Sequence, residues 1–309
     1  MTIKVGTASW TDKTLIACGR FYPKEAKTAE GRLRYYASQF PLVEVDSSYY
    51  AMPSPTNAQL WAERTPDGFT MNVKAFRLFT GHHTQPNVMH KDIQEALAKD
   101  GNGPGGTKTL YYRTTPVEIR TELWRRFIEA LAPLKDAGKL GLVHFQFPPW
   151  LLRNREGHDH VWHCVEQMAG HTVSIELRNA TWFEEPHRRQ TLRFIQELRA
   201  VHTIVDGPQG FSNSVPAIWE ATHPDYALVR LHGRNTATWN VKGATAASDR
   251  FNYDYPDDEL RDLAGEIGRL VKMAKNPHVI FINNMEDQGQ RNARTLARLL
   301  ALPSDVIGT

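Results

Sequence analysis

Apolar residues along this chain recur in two rhythms. Short runs rich in Val, Ile, Leu and Phe have the length of strands, and between most of them apolar positions return at helical intervals. Eight runs read as strands: IKVGTAS (3–9), LVEVDSS (42–48), FTMNVKA (69–75), LGLVHFQF (140–147), TVSIELR (172–178), HTIVD (202–206), YALVRLHG (226–233) and HVIFINN (278–284). Leu33, Tyr36, Ala37 and Phe40 make one helical stripe; Leu123, Trp124, Phe127, Ile128 and Leu131 make another. The clearest is Leu260, Leu263, Ala264, Ile267, Leu270, Val271 and Ala274. Strands alternating with helices imply βα units around a parallel sheet. Eight of them in 309 residues predict an α/β fold, an irregular (β/α)8 TIM barrel forming one domain over 1–309. The alternative, an open doubly wound sheet, would want a glycine-rich loop after the first strand, and GTASWTD is not GxGxxG.

Two stretches depart from the rhythm. Residues 76–120, after the third strand, are too long for an ordinary βα loop and read as an insertion or lid, with a flexible run from Gly101 to Gly106. Residues 207–225 are rich in Pro and Gly and show no helical pattern, so the barrel is expected to be irregular there.

Within the strands, side chains alternate faces, and the face that meets the helices must be apolar. If Val43, Val45, Met71, Val73, Val143, Phe145, Phe147, Ile175, Leu177, Val229 and Leu231 face out, a polar set faces in. That set is Glu44, Asp46, Lys74, His144, Gln146, Glu176, Arg178, Asp206, Arg230 and His232, with Asn283 and Asn284 ending the last strand. All lie toward the C-terminal ends of their strands, where barrels of this kind keep their sites. Unpaired ions there would cost several kcal/mol each, about enough to demand partners, so they pair with one another or with a ligand. Trp10, Tyr49, Tyr50, Trp182, Trp239, Tyr253 and Tyr255 cluster near the same strand ends, as flat faces for a sugar or a base, or as a cover for the rim.

Composition narrows the classes little further. Net charge is +3, too mild to imply a nucleic-acid footprint and no bar to one. Two cysteines, Cys18 and Cys164, make no disulfide framework and no CxxC. The beginning, MTIKVGTASW, has no apolar signal core, and no window is apolar enough for a membrane span, so a soluble cytoplasmic protein is expected, without membrane partners.

Seven ordered motifs then point to one family. They are VGTASW (5–10) with GRFYP (19–23); VEVDSSYYAMPSPTNAQLWAERTPDGF (43–69) with NVKA (72–75); HFQFPPW (144–150); SIELRNATWF (174–183); IVDG (204–207); LVRLHGR (228–234) with YDY (253–255); and FINN (281–284) with RNARTL (291–296). Through these the chain resembles the family called domain of unknown function 72, or YecE-like, over nearly its whole length. The resemblance implies a TIM-barrel fold and names no activity. Ser9 stands where the family pattern usually has Gly, the segment Asp12–Cys18 lacks an aromatic pair, and Ile282 replaces a Phe.

Several chemistries compete for the polar set. Glu44 and Glu176, nearly opposite across a barrel, could form a glycosidic acid–base pair, although barrel glycosidases carry theirs after strands 4 and 7, which here hold Gln146 and His232. A divalent metal could be held by Glu176, Asp206 and His232, with His144 near; three cations would compete for the same carboxylates, and no cofactor motif is evident. His82, His83 and His90 read as surface histidines, and GNGPGGTK lacks the order of a phosphate-binding loop. Arginine forks suit carboxylate and phosphate. The leading expectation is therefore an enzyme, hydrolytic or proton-transferring, for a small anionic, sugar-like or phosphorylated ligand. Lys74, Gln146, Arg178, Arg230, Arg234, Asn283 and Asn284 would bind it, Trp10, Tyr50 and Trp182 would stack on it, and Glu44, Glu176 and His232 would handle protons. The rivals are a nucleic-acid-binding or metal-dependent phosphodiesterase barrel and a scaffold whose ion pairs are purely structural.

Overall fold

The structure, a computed structural model, describes residues 2–99, 109–211, 213–239 and 251–301. The glycine run 101–106 and the stretch GNGPGGTK lie outside the described residues. Eight parallel strands close into a barrel in chain order: β1 (Lys4–Ala8), β2 (Leu42–Val45), β3 (Thr70–Lys74), β4 (Leu140–Phe147), β5 (Val173–Leu177), β6 (Val201–Asp206), β7 (Tyr226–Leu231) and β8 (Asn276–Phe281). β8 pairs back onto β1, matching Gly6 with Ile280. Every apolar run that reads as a strand is one.

Around the barrel lie α1 (Lys13–Cys18), α2 (Ala29–Gln39), α3 (Pro55–Glu63), α4 (Lys91–Lys99), α5 (Val117–Asp136), α6 (Arg155–Gln167), α7 (His187–Glu197), α8 (Asp257–Leu270) and α9 (Gln288–Leu299). Their starts are written locally. The Asp12, Thr28, Ser54 and Asn154 side chains each accept a backbone N–H of the first turn, and Pro55 opens α3 where no N–H is needed. The predicted stripes of α2, α5 and α8 are the faces that bury against the outer side of the sheet.

The described residues of the insertion after β3 are not all loop. It carries α4 and a backbone bridge between Thr84 and Leu110, and Asp92 of α4 pairs with Arg126 of α5. The segment between β6 and β7 holds no helix among the described residues, as its Pro and Gly content predicts.

Paired residues of neighbouring parallel strands share a face, so the register fixes which side chains fill the barrel. Glu44 pairs with Asn72, Lys74 with His144, Gln146 with Glu176, and Arg230 with Val205 and Ile280. A small apolar group, Leu42, Leu142, Val201, Leu228 and Ile280, packs separately from the large helix-facing core. Between Met71 and Val73 the β3–β4 register slips, and there Asn72 Oδ1 accepts from Leu142 N at 2.9 Å.

At the exit of β1, Ser9 adopts φ of +63°. This left-handed conformation costs a residue with a Cβ about 1–2 kcal/mol and costs Gly nothing. Ser9 Oγ accepts Thr11 N at 3.1 Å in partial compensation. Ser9→Gly is expected to stabilise the fold by about 0.5–1 kcal/mol, since glycine's unfolded-chain entropy cancels part of the gain. The urea midpoint reads this out; a lowered midpoint would mean that the Thr11 contact outweighs the strain.

Candidate functional site

Arg230 sits at the centre of the barrel and is 1% exposed. Its fork closes on Glu44, with Nε to Oε2 at 3.1 Å and Nη2 to Oε1 at 2.7 Å. Nη1 donates to Glu176 Oε2 at 2.5 Å and to Gln146 Oε1 at 3.2 Å. Glu176 Oε1 accepts in turn from Arg178 Nη1 at 2.7 Å, and His144 Nε2 stands 3.3 Å from Oε2. Glu44, His144 and Glu176 are wholly buried. Burial works against ionising Glu176, but Arg230 and Arg178 outweigh it and hold the carboxyl well below its usual range. The lower part of the polar set is thus a closed network.

Above it the balance changes. Lys74 Nζ donates to Asp46 Oδ1 at 2.8 Å and lies 4.5 Å above the Tyr49 ring. Arg77 approaches the same ring at 5.3 Å and makes no ion pair among the described residues. Arg178 gives one amino group to Glu176 and lies 5.5 Å from the Trp239 ring; its Nη2 and Nε meet no hydrogen-bond acceptor among the described residues. Gln146 gives its oxygen to Arg230, which leaves its amide N–H groups for the mouth. His82, on Tyr49 at 5.4 Å, is depressed to about 3 by burial and then by Arg77, Lys74, His83 and Arg178. Lys74, Arg77 and Arg178 thus converge on one rim, where Lys74 alone of the three pairs with the partly exposed Asp46. Burial alone would raise the pKa of Asp46, yet Lys74 leads a set of cations that keeps it below its usual value and ionised.

His232 is buried, with Nε2 3.4 Å from Arg178 Nη1. A guanidinium only donates, so Nε2 accepts and the proton resides on Nδ1, which has no hydrogen-bond partner among the described residues. Burial, then Arg178 and Arg230, hold the imidazole well below its usual range. It is neutral and orients Arg178.

The family model described as protein of unknown function DUF72 matches residues 4–307. The chain belongs to the DUF72 family. It is 30% identical over 300 residues to UPF0759 protein YunF of Bacillus subtilis, covering 96% of this chain and 94% of that one. The crystal structure of a DUF72 family protein from Enterococcus faecalis superposes with a TM-score of 0.78 at 27% identity, covering 98% of this chain and 96% of the other. One from Thermotoga maritima gives 0.74 at 23%, covering 97% and 100%, and shows the shared fold.

In this DUF72 barrel, several residues of the expected site stand elsewhere. Glu44 and Glu176 have no exposed oxygen, and Arg230 lies between them, so neither is placed for proton transfer to a ligand and Arg230 has no face free to bind one. His232 lacks the ordinary basicity of a proton carrier. Asp206 pairs in register with Leu231 and so faces outward, because Ile204 takes the same face. There it accepts from Tyr255 Oη at 2.7 Å and from Arg234 at 2.8 Å, which removes Arg234 from the mouth too. Trp182 is buried against Phe194 and donates to Leu151 O at 2.8 Å; Trp10 packs edge-on against Trp61 at 5.8 Å. Asn283 holds Tyr253 O and Asn292, and Asn284 holds Asp12. With Asp206 turned away, Glu176, Asp206 and His232 do not converge, and no group of three His, Cys, Asp or Glu suited to a metal occurs among the described residues. No helix among those residues is long and apolar enough to cross a membrane.

Lys74, Gln146, Arg178 and the exposed Tyr50 remain at the mouth. Arg77, His82 and Tyr49 join them. Arg77 and His82 follow β3 within the insertion, where strand alternation says nothing. The signal available for Arg77 was its place three residues after Lys74, at the C-terminal end of a stave.

Proposed function

We propose that the C-terminal mouth binds a small anionic ligand, a sugar acid or phosphorylated sugar, as the substrate of a proton-transfer reaction. The observation that carries this reading is Arg178: one amino group closes the buried network, and the rest of its fork meets no hydrogen-bond acceptor among the described residues. Lys74 and the Gln146 amide add donors on neighbouring staves, and Arg77 adds charge at the rim. His232 acts on the ligand through Arg178, by fixing the orientation of that guanidinium. Asp46, ionised and partly exposed, is the carboxylate a ligand can reach. Lys74 keeps its basicity low in the free protein, so it would accept a proton only once the ligand's anion draws Lys74 to itself, where Lys74 would stabilise the oxyanion that forms. Two-carboxylate hydrolysis fits poorly, since Glu44 and Glu176 share one arginine between them.

Calorimetric titration with inorganic phosphate, D-glucuronate and glucose 6-phosphate tests the reading. At least one is expected to bind, and Arg178→Gln is expected to weaken it about tenfold or more, the worth of a charge-assisted bond. An Arg178→Gln protein that folds and binds equally well would remove the anion site.

A further inference from the structure

A cavity of about 510 Å³ lies beside the mouth, between Thr80–Gly81, residues 111–114 and the segment from Pro148 to His160. Large apolar side chains stand open there: Trp150 is 57% exposed, Tyr111 50% and Leu152 46%. Scattered exposed apolar residues need no explanation, but three sharing one concavity of ligand size do. Trp150 ends the motif HFQFPPW, whose strand β4 supplies Gln146 to the mouth, and nothing in the network below requires the indole to face out.

The charges on this wall cancel. Arg113 pairs with Glu156 at 3.0 Å. His160, the other titratable group besides the tyrosines, is depressed to about 4 by burial, then by His163 and Arg113, and is neutral. The cavity therefore differs from the cationic rim and offers nothing to neutralise a phosphate backbone. Its apolar faces lie among the polar groups of Thr114, Asn154 and the Arg113–Glu156 pair. Such a surface suits a molecule with flat C–H faces and hydroxyl edges, a pyranose ring.

A chain of packed rings links the wall of the cavity to the mouth. Trp150 meets His82 edge-on at 5.3 Å, His82 meets Tyr49 at 5.4 Å, and Lys74 Nζ stands 4.5 Å over Tyr49. We infer that the Trp150–Tyr111 cavity is a subsite for a neutral sugar ring. Together with the anionic mouth, on whose reading this last step rests, it makes the ligand class a glycoside with an acidic unit at the barrel end and a neutral unit on Trp150.

Saturation-transfer difference NMR and tryptophan-fluorescence titrations with cellobiose, maltose and xylobiose test the subsite directly; D-glucuronate reports the mouth. At least one neutral disaccharide is expected to bind the wild-type chain. Trp150→Ala is expected to weaken it about tenfold, as loss of one aromatic platform does. Tyr111→Ala is expected to act in the same direction. Both aromatic side chains are half exposed, so these variants keep the core intact. No neutral disaccharide bound, or binding indifferent to both aromatic substitutions, overturns the subsite. Disaccharide bound while D-glucuronate, phosphate and glucose 6-phosphate all fail supports the subsite and removes the anionic mouth.

Discussion

Arg230→Met is expected to lower the unfolding free energy by about 3–5 kcal/mol, the usual result of removing one partner from a buried ion pair. The substitution keeps the length of the side chain and removes its charge. Glu176 retains Arg178, but Glu44 retains no cation among the described residues, in an interior from which water is excluded. Glu44→Gln should cost less, because Arg230 then still holds Glu176. Arg230→Met with Glu44→Leu should regain much of the loss, since an apolar pair of similar volume needs no counter-charge. Urea denaturation at pH 7.5 measures all three. A loss below about 1 kcal/mol for Arg230→Met would mean that Glu44 reaches solvent and behaves as an exposed ion pair does.

The second large effect is with pH. His202 and His278 are buried, and burial depresses them to about 4 and about 3. The unfolded chain takes up protons at both from about pH 6.5 downward while the native state does not, so acid favours unfolding. At 1.36 kcal/mol per unit, each removes about 3 kcal/mol of stability between pH 6.5 and pH 4. Glu176 and Asp46 act in the same direction at lower pH. Their native pKa lies below the unfolded value, so the stability they contribute is fully present above the unfolded pKa and is lost as pH falls through the native one. The decline in stability is therefore expected to begin near pH 6.5, before ordinary carboxylates titrate. Denaturation midpoints across pH 8 to 4 check this, and His202→Gln should flatten the slope. A midpoint constant down to pH 5 would show that both rings find protons in the folded state.

The eight staves and most of their inward faces were legible because helix-facing positions must be apolar. Val43 and Val45 leave Glu44 inside; Val229 and Leu231 leave Arg230 and His232 inside. β6 broke the rule. His202, Ile204 and Asp206 occupy one face and Val201, Thr203 and Val205 the other, so each face mixes polar and apolar residues and only the register with β7 decides. The pairing within the inward set was not legible either. The sequence shows that Arg230 needs an anion; which anion depends on Glu44, 186 positions away, arriving within 3.1 Å. Trp182 and Trp10 illustrate the same limit. An aromatic residue just past a strand end can cover the rim or turn under it, and only the packing of Phe194 and Trp61 shows the second.

The Arg230 bridge also sets an order on assembly. The chain emerges from its N-terminus, so Glu44 and Glu176 are both made before the one guanidinium that joins them. A half-barrel ending at β4 carries Glu44 facing inward with no arginine opposite, and a fragment ending at β6 carries both acids. Neither is a self-sufficient unit. Splitting this barrel into two independently folding halves would require replacing Glu44, and the seventh stave acts as the keystone for acids laid down in the second and the fifth.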